Sequence, residues 1–328
     1  MDIKTLKEYL GQDWTAVQNR IGSALGSDIS LLNSVNSSIL SHSGKQLRPL
    51  LSLVMARACV PGEPLADATV RYAAAAELLH NATLLHDDVA DQSEQRRGNP
   101  TIYSLMGPSV SVLVGDYWLV KAMELILGEA DSDVKVIRIF SKTLSDLAEG
   151  EMLQLQKARS GDTDEKEYLR IIYNKTASLF EAACVSAAVS VAASQDKVEA
   201  AGKYAVALGL AFQIKDDILD YAGTEQVGKP LGVDILEQKI TMPLLGALAN
   251  VPEEEALRIR TMVKDIVGKP EYRDDVVDFV RKNGGVEYAQ KRLDEYISEA
   301  VHALDAFEDS YEKQCLVELA HFTSLRNK

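Results

Sequence analysis

From Asp67 to Asp91 the chain runs with few breakers through good helix formers and ends in Asp87-Asp88-Val89-Ala90-Asp91. Such a stretch reads as one long helix, with an Ala-rich face at Ala73 to Ala76. No segment alternates apolar and polar residues with period two for long, so the chain is read as all-α. Gly98, Pro100, Gly107 and Pro108 punctuate a loop, and a further helix is expected from about Ser109 through Leu127. Glu165 to Ser194 reads as helix, with Ala182, Ala183, Ala187, Ala188, Ala192 and Ala193 permitting close contacts, followed by a helix over Val198 to Tyr221. Gly223, Gly228, Pro230 and Gly232 mark a second loop. From Thr241 onward the helices shorten, with breaks near Pro252, Pro270 and Gly284–Gly285. No linker or low-complexity tract interrupts the pattern, so residues 1–328 are read as a single domain.

Charge and cysteine use narrow the function. Lys plus Arg is 35 and Asp plus Glu is 49, a net charge of −14. Nucleic-acid binding needs basic patches, so no nucleic-acid partner is expected. The three cysteines, Cys59, Cys184 and Cys315, match no zinc spacing and read as reduced core thiols. Met1 to Asp13 is charged throughout and lacks the apolar stretch of a secretory signal, and no run of about 18 apolar residues could span a bilayer. A cytoplasmic location is expected, with any membrane role peripheral.

The chemistry concentrates in two acidic motifs. Leu85-His86-Asp87-Asp88-Val89-Ala90-Asp91 is echoed by Ile214-Lys215-Asp216-Asp217-Ile218-Leu219-Asp220, each ending a long helix and running into a Gly/Pro-bearing loop with basic residues. Residues four apart share a helix face, so Asp87 and Asp91 point the same way, as do Asp216 and Asp220. Carboxylates stacked this way repel unless a cation lies between them. Magnesium takes one or two carboxylates and fills its octahedron with water and phosphate oxygens. Asp-Asp-x-x-Asp alone is weak: a third copy, Asp274-Asp275-Val276-Val277-Asp278, reads as a solvated helix start. Context separates the other two. Arg96-Arg97-Gly98 follows the first, suited to clamping anions. Phe212-Gln213 precedes the second, and Gly228-Lys229-Pro230, Asp234, Glu237, Lys239 and Thr241 follow it. Gly44-Lys45-Gln46-Leu47-Arg48-Pro49 offers two more cations, Gly115-Asp116 lies further on, and Lys175-Thr176 sits inside an otherwise apolar helix.

In their order and spacing these motifs resemble the trans-isoprenyl diphosphate synthases, the polyprenyl synthetase family, over most of the chain. The resemblance implies the isoprenoid synthase type I fold, a bundle of long, mostly antiparallel helices around a deep central cavity. It implies three Mg²⁺ arriving with substrate diphosphate, two on Asp87 and Asp91 and one on Asp216, with Asp88, Asp217 and Asp220 supporting. Arg96, Lys175, Thr176, Gln213, Lys229 and Lys239 would grip an allylic diphosphate. Lys45, Arg48, His80 and Arg97 would hold isopentenyl diphosphate. Asp87, Asp91, Asp216, Lys175 and Lys229 would carry catalysis, and His86 is read as structural. The implied reaction is ionisation of the allylic diphosphate, attack of the isopentenyl double bond on the resulting cation, and proton loss, with water excluded.

Thr83 and Ala82, one turn above Asp87, are both small where short-chain members often carry an aromatic floor. The resemblance therefore implies a long product of about seven to ten isoprene units, whose release calls for a peripheral membrane contact. It also implies a homodimer, with the small-residue helix Ala182 to Ala193 a candidate for close packing. The alternatives are a short-chain synthase, a class I terpene cyclase, against which Lys45, Arg48 and Arg97 argue, and a non-catalytic partner subunit, in which one acidic motif is usually lost.

Overall fold

A computed structural model describes residues 2–96, 98–128, 133–222 and 231–326. Arg97, Gly228, Lys229 and Pro230, four of the motif residues, lie outside the described residues. The described chain is helical apart from one two-residue hairpin, and it divides into two compact units.

The first unit comprises residues 1–141, 182–201 and 306–316. Its helices open with α1 (Ile3–Leu10), α2 (Gln12–Ala24), α3 (Ser30–Ser41), α4 (Leu47–Cys59) and α5 (Asp67–Ala90). A hairpin of β1 (Gln95–Arg96) and β2 (Asn99–Pro100) pairs Gln95 with Pro100 and Arg96 with Asn99. Then come α6 (Ile102–Met106) and α7 (Pro108–Leu127). The loop expected after the first motif thus carries this short antiparallel turn. The expected helices Asp67–Asp91 and Ser109–Leu127 are present to within a residue, Asp91 serving as the C-cap of α5. α5 packs most extensively on α7, and also on α2 and α4. Ala73 through Ala76 are fully buried, small enough for close helix approach.

α8 (Val134–Ser160), α10 (Ser178–Ser190) and α11 (Gln195–Ala222) each contribute to both units. Ala182, Ala183, Ala187 and Ala188 are fully buried, which makes them core of the first unit rather than an outward docking face. The three cysteines are buried and unbridged.

The second unit comprises residues 142–181, 202–305 and 317–328. Here α9 (Glu165–Ile172) begins with a capping box between Asp164 and Glu167. Where one helix over Glu165–Ser194 was expected, the ladder is interrupted by a π-turn at Tyr173–Ala177, in which Ser178 N–H reaches back to Tyr173 O. The unit continues with α12 (Val233–Leu236), α13 (Met242–Ala249), α14 (Glu253–Lys264), α15 (Tyr272–Lys282) and α16 (Gly285–Ala303). α17 (Tyr311–Leu325) begins in the first unit and ends in the second. Asp274, Asp275 and Asp278 of the third acidic copy are exposed on α15, as expected of a solvated helix start. No helix among the described residues is long and apolar enough to cross a membrane.

Candidate active site

In the first unit the acidic motif occupies the last turn of α5. Asp87 is half-buried and Asp91 exposed, while Asp88 points inward at 5% exposure. A buried carboxylate needs a partner. Arg96 supplies it, donating from Nε at 2.9 Å and Nη2 at 2.8 Å to Asp88 Oδ1. Burial raises the Asp88 pKa, and Arg96 opposes the shift. Arg96, expected to grip diphosphate, is paired here with the middle aspartate. Thr101 ties the hairpin down by donating to Ser93 O at 2.7 Å.

The neighbouring helix explains a motif that had no assigned task. Ser111 on α7 donates to Leu85 O at 2.8 Å, and Asp116 Oδ1 lies 3.2 Å from His86 Nε2. A Cβ at Gly115 would collide with the His86 ring, so glycine there makes room for the imidazole beside Asp116. His86 itself is half-buried, packed between α5 and α7. On α4, Arg48 is half-buried in the first turn, and Lys45 is exposed just before it. On α5, His80 is partly buried and its carbonyl accepts from Thr83 Oγ1 at 2.8 Å.

In the second unit a hydrogen-bonded chain runs through the site. Thr176 Oγ1 donates to Gln213 Oε1 at 3.0 Å, and Gln213 Nε2 donates to Asp217 Oδ1 at 3.0 Å. Tyr168 OH donates to Asp217 Oδ2 at 2.5 Å. Asp217 is therefore gripped at both oxygens, yet burial, aided by the charge of Asp216, pushes its pKa up to about 6 against those two bonds. Asp220 accepts the N–H groups of Val233 (3.1 Å) and Asp234 (3.2 Å), fixing the loop that leads to Lys239. Its pKa too is raised, chiefly by burial. Asp216 is the outward member, its side chain 45% exposed.

The two motifs share one logic. The first aspartate of each faces partly outward, and the middle one is buried and bonded to protein. At the third position they part: Asp91 is exposed, and Asp220 serves the backbone.

Lys175 and Thr176 stand on the π-turn, held close by glycines. A Cβ on Gly150 of α8 would lie 2.7 Å from Asn174 Cβ, and one on Gly209 of α11 would lie 2.5 Å from Ala177 Cα. Lys175 Nζ bonds Glu151 Oε1 at 2.7 Å and Gln154 Oε1 at 2.9 Å, and Lys239 pairs with Glu237. A cavity of about 110 Å³ is lined by Lys175, Gln213, Asp217, Lys239, Tyr168 and Lys157, among others. The structure thus brings the expected Lys175, Thr176, Gln213, Asp217 and Lys239 together. Tyr168, Glu151, Gln154 and Lys157 went unnoticed in the sequence. The signal for the middle two was there, since Glu151 and Gln154 stand three apart on one face of α8.

Comparison with known proteins agrees with this architecture. The polyprenyl synthetase family model matches residues 29–282. The chain is 36% identical to the octaprenyl diphosphate synthase of Escherichia coli strain K12, over 100% of both chains. Among solved structures, a decaprenyl diphosphate synthase from Rhodobacter capsulatus superposes with TM-score 0.90 at 35% identity over 100% of both chains. A polyprenyl synthase from Caulobacter crescentus CB15, complexed with calcium and isoprenyl diphosphate, gives TM-score 0.89 at 33% identity over 100% of this chain and 98% of that one. With its helical fold and its paired aspartate motifs, the chain belongs to the polyprenyl synthetase family.

Proposed function

We propose that the protein condenses isopentenyl diphosphate head-to-tail onto an allylic diphosphate such as farnesyl diphosphate, making a long-chain all-trans polyprenyl diphosphate of the octaprenyl type. The observation that carries this reading is the repeated motif in which a buried aspartate is locked by protein partners while the aspartate before it faces outward, Asp87 beside Asp88 and Asp216 beside Asp217. The long product is supported by the octaprenyl and decaprenyl synthases among the relatives and by the small Thr83 above Asp87.

The carboxylates suit magnesium. They are hard oxygen donors, and each motif turns one or two of them outward, Asp87 with Asp91 and Asp216. That fits an ion that takes one or two carboxylates and completes its shell with water and substrate oxygens. Asp87, Asp91 and Asp216 would hold the ions, which supply charge stabilisation for a departing diphosphate. The calcium and isoprenyl diphosphate of the Caulobacter relative support the assignment.

Lys175, Thr176, Gln213, Lys229, Lys239 and Arg96 would bind the allylic diphosphate, with Lys45, Arg48, His80 and Arg97 binding isopentenyl diphosphate. Lys175, Lys239 and Arg96 are each paired with an acid, so an incoming diphosphate exchanges one anionic partner for another. The chain works as one catalytic domain and as a homodimer. Leu113, Val120 and Leu127, at seven-residue spacing on α7, form an outward apolar stripe suited to a second copy. Product release calls for a peripheral membrane surface.

The test is a product-length assay with magnesium, farnesyl diphosphate and labelled isopentenyl diphosphate, the same preparation being weighed by light scattering. A narrow band of long chains from a dimer is expected. Products ending at fifteen or twenty carbons would sink the long-chain assignment, and no incorporation by folded protein would sink the synthase.

A further inference from the structure

The end of α17 places a buried arginine on the first aspartate of the second motif. Arg326 is 8% exposed, and its backbone N–H bonds Phe322 O at 3.1 Å. Its Nη2 donates to Asp216 Oδ1 at 2.8 Å and to Phe212 O at 2.6 Å. The guanidinium lies 3.7 Å from the Phe212 ring centroid, and its Nε is buried with no hydrogen-bond partner among the described residues. A buried guanidinium stays charged, so it needs a counter-charge, and here Asp216 supplies it. The Nη2 contact falls on Asp216 Oδ1, and the Asp216 side chain remains half at the surface.

We propose that Arg326 is a latch on Asp216: it neutralises this carboxylate, and a divalent cation arriving with a diphosphate must displace it. The inference rests on Asp216 being a cation ligand. Two cations cannot share one carboxylate at short range without repulsion, so the arginine sets how readily Asp216 accepts a metal. The unmet Nε makes its seat an incomplete one, held through Phe212 whether or not Asp216 is engaged.

The test follows Mn²⁺ binding in the presence of inorganic pyrophosphate, read from the loss of the free-ion paramagnetic resonance signal. Arg326→Gln should bind Mn²⁺ about three- to tenfold more tightly than the parent, the range expected for a partly exposed charge pair. Arg326→Lys, which keeps the charge and loses the planar fork, should fall between them, and decides the matter alone if the glutamine variant does not fold. In an Asp216→Asn background Arg326→Gln should change nothing. Unchanged or weaker Mn²⁺ binding in the Arg326 variants, with Asp216→Asn still impaired, overturns the latch and leaves the ligand assignment standing. Unimpaired Mn²⁺ binding in Asp216→Asn overturns both.

Discussion

At the residue scale each acidic motif backs its outward aspartate with a buried one that burial has made reluctant to ionise. Asp217 carries this furthest, with its pKa at about 6. Since that lies above the unfolded value, the folded protein holds a proton between about pH 4 and 6 that the unfolded chain has released. Stability is therefore greatest below this window and falls as pH rises through it. Asp88, Asp220 and Asp234 shift the same way, all chiefly through burial, and the charge of Asp217 helps raise Asp234, so all four shape the parent protein's slope. Asp217→Asn removes one contributor. In urea unfolding with chelator present, the stability difference between variant and parent should move in favour of asparagine by on the order of 2–3 kcal/mol from pH 4 to pH 7. A difference independent of pH would mean that Asp217 is ionised in the fold throughout. None of this was legible in the sequence. Asp216 and Asp217 are adjacent and identical in type, and only helix rotation and the arrival of Tyr168 from another helix make one outward and the other buried.

At the element scale, helices were legible because period and breakers are local, and α5 and α7 match the expected spans to within a residue. The π-turn was not. Its one trace was a polar Lys175-Thr176 pair in an apolar run, and the interruption depends on α8 and α11 closing on it through Gly150 and Gly209. That dependence can be measured. A methyl group at Gly209 meets Ala177 backbone, which cannot swing aside as a flexible side chain would. Gly209→Ala should cost about 1–3 kcal/mol by overpacking. It should also lower kcat/KM at least about tenfold, because a shift of the turn displaces Lys175 and Thr176 together. Gly22→Ala is the control, since its added methyl meets nothing within 4 Å and the substitution favours helix. Equal melting temperatures for Gly209→Ala and the parent would show that the turn yields freely. The Arg326 latch escaped sequence reading for a related reason: a lone arginine after the last helix carries no pattern, and only the fold carries it to Phe212 and Asp216.

At the scale of the whole molecule the property to explain is product length, and helix geometry ranks the two small residues above Asp87. At 100° per residue Thr83 lies about 40° from Asp87 around α5, whereas Ala82 lies about 140° away. Thr83 is half-buried on the aspartate's side, and Ala82 is fully buried where neighbouring helices pack. A chain growing along α5 from the motif therefore passes Thr83 first. Thr83→Phe should shorten the product toward fifteen or twenty carbons while leaving magnesium-dependent incorporation and the melting temperature near the parent's. Ala82→Phe must force an aromatic ring into packed core, at a cost of about 1–3 kcal/mol or more, so a lowered melting temperature should accompany any change in product. Sizing dephosphorylated products from both variants beside thermal melts separates the effects. Short products from Ala82→Phe at an unchanged melting temperature would mean that space opens beside Ala82 when substrate binds. Unchanged products from Thr83→Phe would mean that the chain leaves α5 before its first turn is passed.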